Sequence, residues 1–316
     1  MVPSKTLRTP LRLAAAVAAL AGAPGPAQES LPQGPTSTAG ASQPIDEVIV
    51  RGRRMSEIEF DLRIYIQKFL KDVAKPATGQ GYARWDRKVC VGVHNLETTA
   101  AQYVVDRISR QAIDLRLEPG EPGCRPQVNI VFATNASETA SFMVKSQPRM
   151  FRPIAGHAGM NLGRDALDDF VNSERPVRWW HVSLPVGAHT GEPATEMDEG
   201  YPTIRVEGAS RIHSGIIDKL FDVIIIVDAT KLTGTTWQQL GDYLAVVSLA
   251  QINPKTNPAE FDSILNLFSN PAAYSGLTDW DRSYLKAIYT FDQERITFLQ
   301  RNEIVNAIAD TELEAR

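Results

Sequence analysis

Apolar and polar positions alternate along this chain in two rhythms, and they mark out its elements. In residues 55–76, "MSEIEFDLRIYIQKFLKDVAKP", apolar side chains fall at Ile58, Leu62, Tyr65, Ile66 and Phe69. That spacing places them on one face of a helix, which Pro76 stops. "RKVCVGVHNL" (87–96) reads as a strand, and "ETTAAQYVVDRISRQAIDLRL" (97–117) as an amphipathic helix capped by Thr98 or Thr99. "QVNIVFAT" (127–134) is a buried strand, so a strand–helix–strand crossover of about 45 residues is expected. "RPVRWWHVSLPV" (175–186) and "DVIIIVDAT" (222–230) are further strands, while "SGIIDKL" (214–220) fits a helical turn or a strand extension. In the first of these, His181 and Trp180 should alternate, one in the core and one at the surface. "DEVIVRGRR" (46–54) reads as an N-terminal edge strand.

Beyond residue 235 the pattern is helical only. Thr235 or Thr236 caps a helix running to about Gln251, which Asn253-Pro254 ends. "AEFDSILNLF" (259–268) predicts a short helix. "LTDWDRSYLKAIYTF" (277–291) predicts another, with Thr278 and Asp281 at capping-box spacing, and a last helix spans about Asp292 to Asp310. The whole predicts an α+β fold with a mixed sheet, as one domain over 47–316 with a helical C-terminal portion from about 235.

The first 27 residues change the picture. Lys5, Arg8 and Arg12 precede the apolar run "LRLAAAVAALAGA", and small residues at Gly25 and Ala27 follow. This order reads as a secretory signal cleaved before Gln28, and the run is too short to span a membrane. Residues 28–46, rich in Pro, Gly, Ser and Thr, read as a disordered linker. Removing 1–27 leaves 30 basic residues against 37 acidic ones, so the formal charge moves from -4 to -7. A nucleic-acid partner is excluded on that balance, because phosphate neutralisation needs a basic surface. No later apolar run suits a spanning helix. Export to the periplasm or outer envelope puts Cys90 and Cys124 in an oxidising compartment, where a pair predicts one disulfide. Neither cysteine has a second Cys or His at ligand spacing, so no metal site is expected there.

Candidate chemistry centres on "GDYLAVVSLAQ" (241–251). Its length and rhythm follow H-E-x-x-H-x-x-G-x-x-H, in which residues four apart share one helix face and bring imidazoles to one zinc ion. Here those places hold Gly241, Asp242, Ala245, Ser248 and Gln251. Gly241 and Ala245 carry no ligand atom, and Gln251 offers only an amide oxygen. Asp242 is a methylene shorter than the glutamate that would deprotonate a metal-bound water. Downstream, Leu277, Thr278, Asp281, Leu285, Ile288 and Tyr289 are similar to the L-T-x-x-D-x-x-x-L-x-x-L-Y helix of matrixin-type zincin proteases. Together with "RKVCVGVHN" and "PQVNIVFAT", the likeness resembles that of a family of uncharacterised exported bacterial proteins with zincin-like domains, over most of 84–292. In that family Glu and Gln usually replace the histidines. The resemblance implies a zincin-like fold with no assigned activity and a vestigial cleft near Gln238, Gly241, Asp242, Ala245 and Gln251. "DEVIVRGRR" resembles the strand-like segment near the mature N-terminus of TonB-dependent outer-membrane proteins.

Other signals are thinner. His94, His157, His181, His189 and His213 include no i,i+4 or H-x-H pair. No G-x-S-x-G elbow is present, and "GHAGMNLG" (156–163) is a glycine-rich loop without the G-K-[ST] of a P-loop. Asn135-Ala136-Ser137 matches a glycosylation sequon. Asp242 with Asp228 or Glu207 would make an acid/base dyad, whereas the plainer role for Asp242 is a hydrogen bond to Thr or Gln side chains. The expectation is therefore an exported, non-catalytic zincin-like protein without metal or cofactor that binds a peptide or envelope protein. The alternatives are a carboxylate hydrolase using Asp242 and an accessory of outer-membrane uptake.

Overall fold

The run Val223–Val227 is fully buried, which requires apolar layers on both faces of its strand. The computed structural model supplies them. It describes residues 45–74, 76, 80–151, 162–196, 202–203 and 211–315, with the backbone alone for 45–55, 195–196 and 202–203. The signal and nearly all of the linker lie outside these residues, as does most of "GHAGMNLG" with His157.

Helix α1 (Ile45–Asp72) leads to β1 (Lys88–Val89), β2 (Val91–His94), α2 (Thr98–Asp114), β3 (Glu118–Pro119) and β4 (Val128–Ala133). Next come α3 (Ala136–Ser146), α4 (Pro148–Phe151), α5 (Arg164–Asn172) and the long strand β5 (Val177–Gly187). After β6 (Thr195–Glu196) and β7 (Pro202–Thr203), β8 (Ile216–Asp228) leads to α6 (Trp237–Leu249), α7 (Asp279–Thr290) and α8 (Thr297–Glu314).

The main sheet has the order β2-β4-β8-β5. The first three strands are parallel, joined at their start by the crossover through α2, and β5 runs antiparallel to β8. This is a mixed sheet in an α+β setting, as the strand and helix pattern predicts. Alternate residues of the central strands, among them Ile130, Trp179, Val223 and Ile225, join a large core with α1, α2, α6, α7 and α8. Even-numbered Trp180, Val182, Ile224 and Ile226 join a smaller one with α3, α4 and α5. Two covered faces explain why Trp180 and His181 are both buried, against the expectation that one would reach the surface. "SGIIDKL" resolves as strand, and a register shift opposite Val182/Ser183 leaves Phe221 out of the pairing and half exposed.

Several local expectations need correction. "DEVIVRGRR" is the beginning of α1, not an edge strand. Extending an existing helix backwards costs less than nucleating a separate element, and that outweighs the β-branched Val48-Ile49-Val50. The extended form of the TonB-type segment is absent. Helix α2 is capped by Glu97, whose carboxylate accepts the N–H of Thr99 at 2.9 Å and Ala100 at 3.2 Å. "AEFDSILNLF" forms two 3-10 turns, Pro258–Glu260 and Ile264–Asn266, because Ser263 turns its hydroxyl to the N–H of Leu265. Helix α8 begins later than Asp292, whose carboxylate instead accepts the N–H of Glu294 in a turn.

Cys90 and Cys124 form the expected disulfide, with Cα atoms 6.2 Å apart. The glycine at 120 makes room for it, since a Cβ there would lie 2.3 Å from Cys124 Sγ. Compactness divides the chain after Val48. The unit Ile49–Arg316 holds everything described below, and Ile45–Val48 is simply helical backbone. No helix among the described residues is long and apolar enough to cross a membrane.

Candidate functional site

Helix α6 opens on a capping box, in which Thr236 and Gln239 satisfy each other's backbone N–H groups. It then runs through the core, with every residue from Gln239 to Leu249 buried. An acid in such a helix must find a cation or be neutralised. Asp242 is 1% exposed, and the Arg107 guanidinium from α2 grips it with both prongs, Nε to Oδ1 at 2.7 Å and Nη2 to Oδ2 at 2.8 Å. The N–H of Leu277 donates to Oδ2 at 3.1 Å. The hydrogen bond to Asp242 in turn raises the Arg107 pKa.

Two glycines make this contact possible. A Cβ at Gly241 would sit 2.8 Å from Arg107 Cγ, and one at Gly276 would sit 2.5 Å from Asp242 Oδ2. Gly241 is thus the slot through which the arginine stem reaches its partner. Arg107 was not singled out in the sequence. The signal for it was chemical: a buried acid demands a cation, and bidentate geometry suits arginine.

The other residues of the expected cleft disperse. Gln238 is at the surface, donating to the Ser275 carbonyl at 2.9 Å, and shares the Gly276 turn with Asp242. Ala245 is fully enclosed. Gln251, past the helix end, is 6% exposed, and neither atom of its amide has a partner among the described residues. No dyad forms with Asp228, which accepts from Thr230 N at 3.1 Å and Oγ1 at 2.6 Å; Glu207 lies outside the described residues. His181 Nε2 meets the Val247 carbonyl of α6 at 2.7 Å, and burial lowers its pKa to about 4, so the ring is neutral. No trio of His, Cys, Asp or Glu side chains among the described residues is placed to hold a metal.

An open pocket does lie beside α6, but around Tyr243 rather than Asp242. Neighbours in a helix point about 100° apart, so Tyr243 faces the start of β5. The pocket, about 550 Å3, is lined there by Trp179 and Tyr243 and closed by Pro254, Pro258 and Phe268 from the following loop. Tyr243 packs edge-on against Trp179, centroids 6.2 Å apart, and against Phe268 at 5.0 Å. Arg175 stands 5.9 Å over the Trp179 ring while pairing with Asp169 and the Pro254 carbonyl. Its volume and aromatic lining are those of a ligand pocket with few polar anchors. Apolar spacing marks Trp179 and Tyr243 as core residues, and only the fold reveals that they also wall a pocket. Against models of known families, curated proteins and solved structures, this chain finds no match.

Proposed function

We propose that this chain is a non-catalytic, zincin-like protein that binds a peptide or protein segment in the bacterial cell envelope. The observation that carries the reading is the fate of the two positions where a zinc protease places its first ligand and its general base. Gly241 yields its space to Arg107, and both carboxylate oxygens of Asp242 are saturated by Arg107 and Leu277. A base so engaged cannot take a proton from water without breaking a buried ion pair. The order of elements supports the zincin-like part: the parallel strands β2 and β4, the antiparallel edge strand β5, the parallel strand β8, then α6 and the "LTDWDRSYLKAIY" helix. The Trp179–Tyr243–Phe268 pocket, between that edge strand and the loop after α6, is where a bound segment would lodge. The disulfide fits an exported protein.

Elemental analysis of the purified chain should find no stoichiometric zinc, and a broad peptidase panel should show no cleavage that a chelator abolishes. Stoichiometric zinc with chelator-sensitive cleavage overturns the proposal. A random peptide library panned on the same protein should return sequences that no longer bind Phe268→Arg; binding unchanged in that variant, or no binders, removes the pocket from the proposal.

A further inference from the structure

We infer that the cavity at Asp218 is a binding site for a primary ammonium group. Asp218 lies on β8 about nine residues, or roughly 30 Å, before the strand end that faces the Tyr243 pocket, so this site is independent of the proposed function. Its Oδ2 accepts the N–H of Gly81 at 2.6 Å. Oδ1 is buried and has no partner among the described residues, although the side chain is only 6% exposed. Buried acceptors are nearly always satisfied, and one left bare marks a place that a donor should fill.

The surroundings say which donor. Asp218 lines a cavity of about 160 Å3, room for a few waters or one small headgroup. The two nitrogen-bearing side chains on the wall, Gln300 and Arg295, are drawn to other groups. The Gln300 amide donates to the carbonyls of Gln293 and Arg295, and Arg295, the other charged side chain on the wall, is held by Glu303 at 3.0 Å. Hydroxyl oxygens of Ser214 and Thr297 add neutral acceptors to the wall, and Ile216 and Ile296 line it with apolar surface. One carboxylate oxygen, two hydroxyls and apolar flanks match the three N–H donors of an ammonium on an aliphatic stem. A divalent cation would need six or more oxygens. Burial pushes the Asp218 carboxyl up to about 7, in keeping with a negative charge that lacks its counter-ion. A lysine side chain, a peptide N-terminus and a free alkylamine share this chemistry.

The test is a thermal shift on the full chain with n-butylammonium chloride against potassium chloride at equal ionic strength, in wild type and Asp218→Asn. The asparagine keeps an acceptor for Gly81. Butylammonium should raise the wild-type Tm saturably by a few degrees, potassium should not, and the variant should not respond. Saturation-transfer NMR of butylammonium on the wild type alone guards against a variant that fails to fold. N-acetyl-lysine amide and isoleucine amide then distinguish a side chain from a chain terminus, and a response to either supports the site. No transfer to butylammonium, an equal response to potassium, or an equal response in Asp218→Asn overturns it.

Discussion

Arg107 and Asp242 meet across 135 positions of sequence, and what holds each in place is the absence of side chains at Gly241 and Gly276. The pair is asymmetric: Asp242 is sealed, whereas the Arg107 side chain keeps 22% of its surface in solvent. Removing the arginine therefore strands a buried carboxylate, a loss of about 3–5 kcal/mol by the usual cost of breaking such a pair. Urea unfolding of Arg107→Ala should show that loss. The double variant Arg107→Met, Asp242→Leu should recover most of it, because an apolar pair of similar size leaves no charge uncompensated. A small loss in the single variant would mean that water or another cation reaches Asp242.

At the level of the element, the cap of α7 joins three pieces of chain. Thr278 Oγ1 accepts the N–H of Asp281 at 3.0 Å and donates to the Asp262 carbonyl at 2.7 Å, while the Asp281 carboxylate accepts from Ser263 Oγ and Ile264 N. The start of "LTDWDRSYLKAIY" thus serves as a clasp between a helix start and the 3-10 turn before it. Thr278→Ala should cost about 1–2 kcal/mol in chemical denaturation, with Thr278→Ser restoring most of it. The Thr278–Asp281 pairing and a threonine cap at the start of α6 were legible in the sequence, since both are local to one helix start; the reach of Thr278 and Asp281 to Asp262, Ser263 and Ile264 was not. So were the β2–α2–β4 crossover and the disulfide. The extent of α1 was not, because continuity of a helix overrides the strand preference of three β-branched residues. Nor was the candidate site: the cleft expected along "GDYLAVVSLAQ" depends on what α2 and the 271–277 segment place against it, and spacing within one helix carries no information about either. Helix α6 has no polar face, so its pattern could not tell a buried side from one that borders a pocket.

For the whole molecule, covering both faces of the sheet places several titratable groups out of water with opposite consequences. Burial raises Asp218 to about 7 and Asp222 to about 6, and it also raises Asp281. Each binds a proton in the folded chain at a pH where the unfolded chain has lost it. Their contribution is full below about pH 4, the ordinary carboxylate range, and is lost as pH rises through 6 to 7. His181, lowered to about 4, works the other way, and its contribution is lost as pH falls from 6.5 to 4. The aspartates outnumber it, so Tm should be higher at pH 5 than at pH 8 by scanning calorimetry, and Asp218→Asn should remove most of that difference. A Tm that falls on acidification to pH 5 would show that these carboxyls are hydrated. The disulfide has a topological consequence as well. It closes a ring of chain that contains β2, α2 and β3, with the exposed, left-handed Arg116 on its outside turn. One proteolytic cut anywhere in that ring opens it without parting the molecule, so the arginine that seals Asp242 stays tethered to the rest of the chain for as long as the sulfurs remain oxidised.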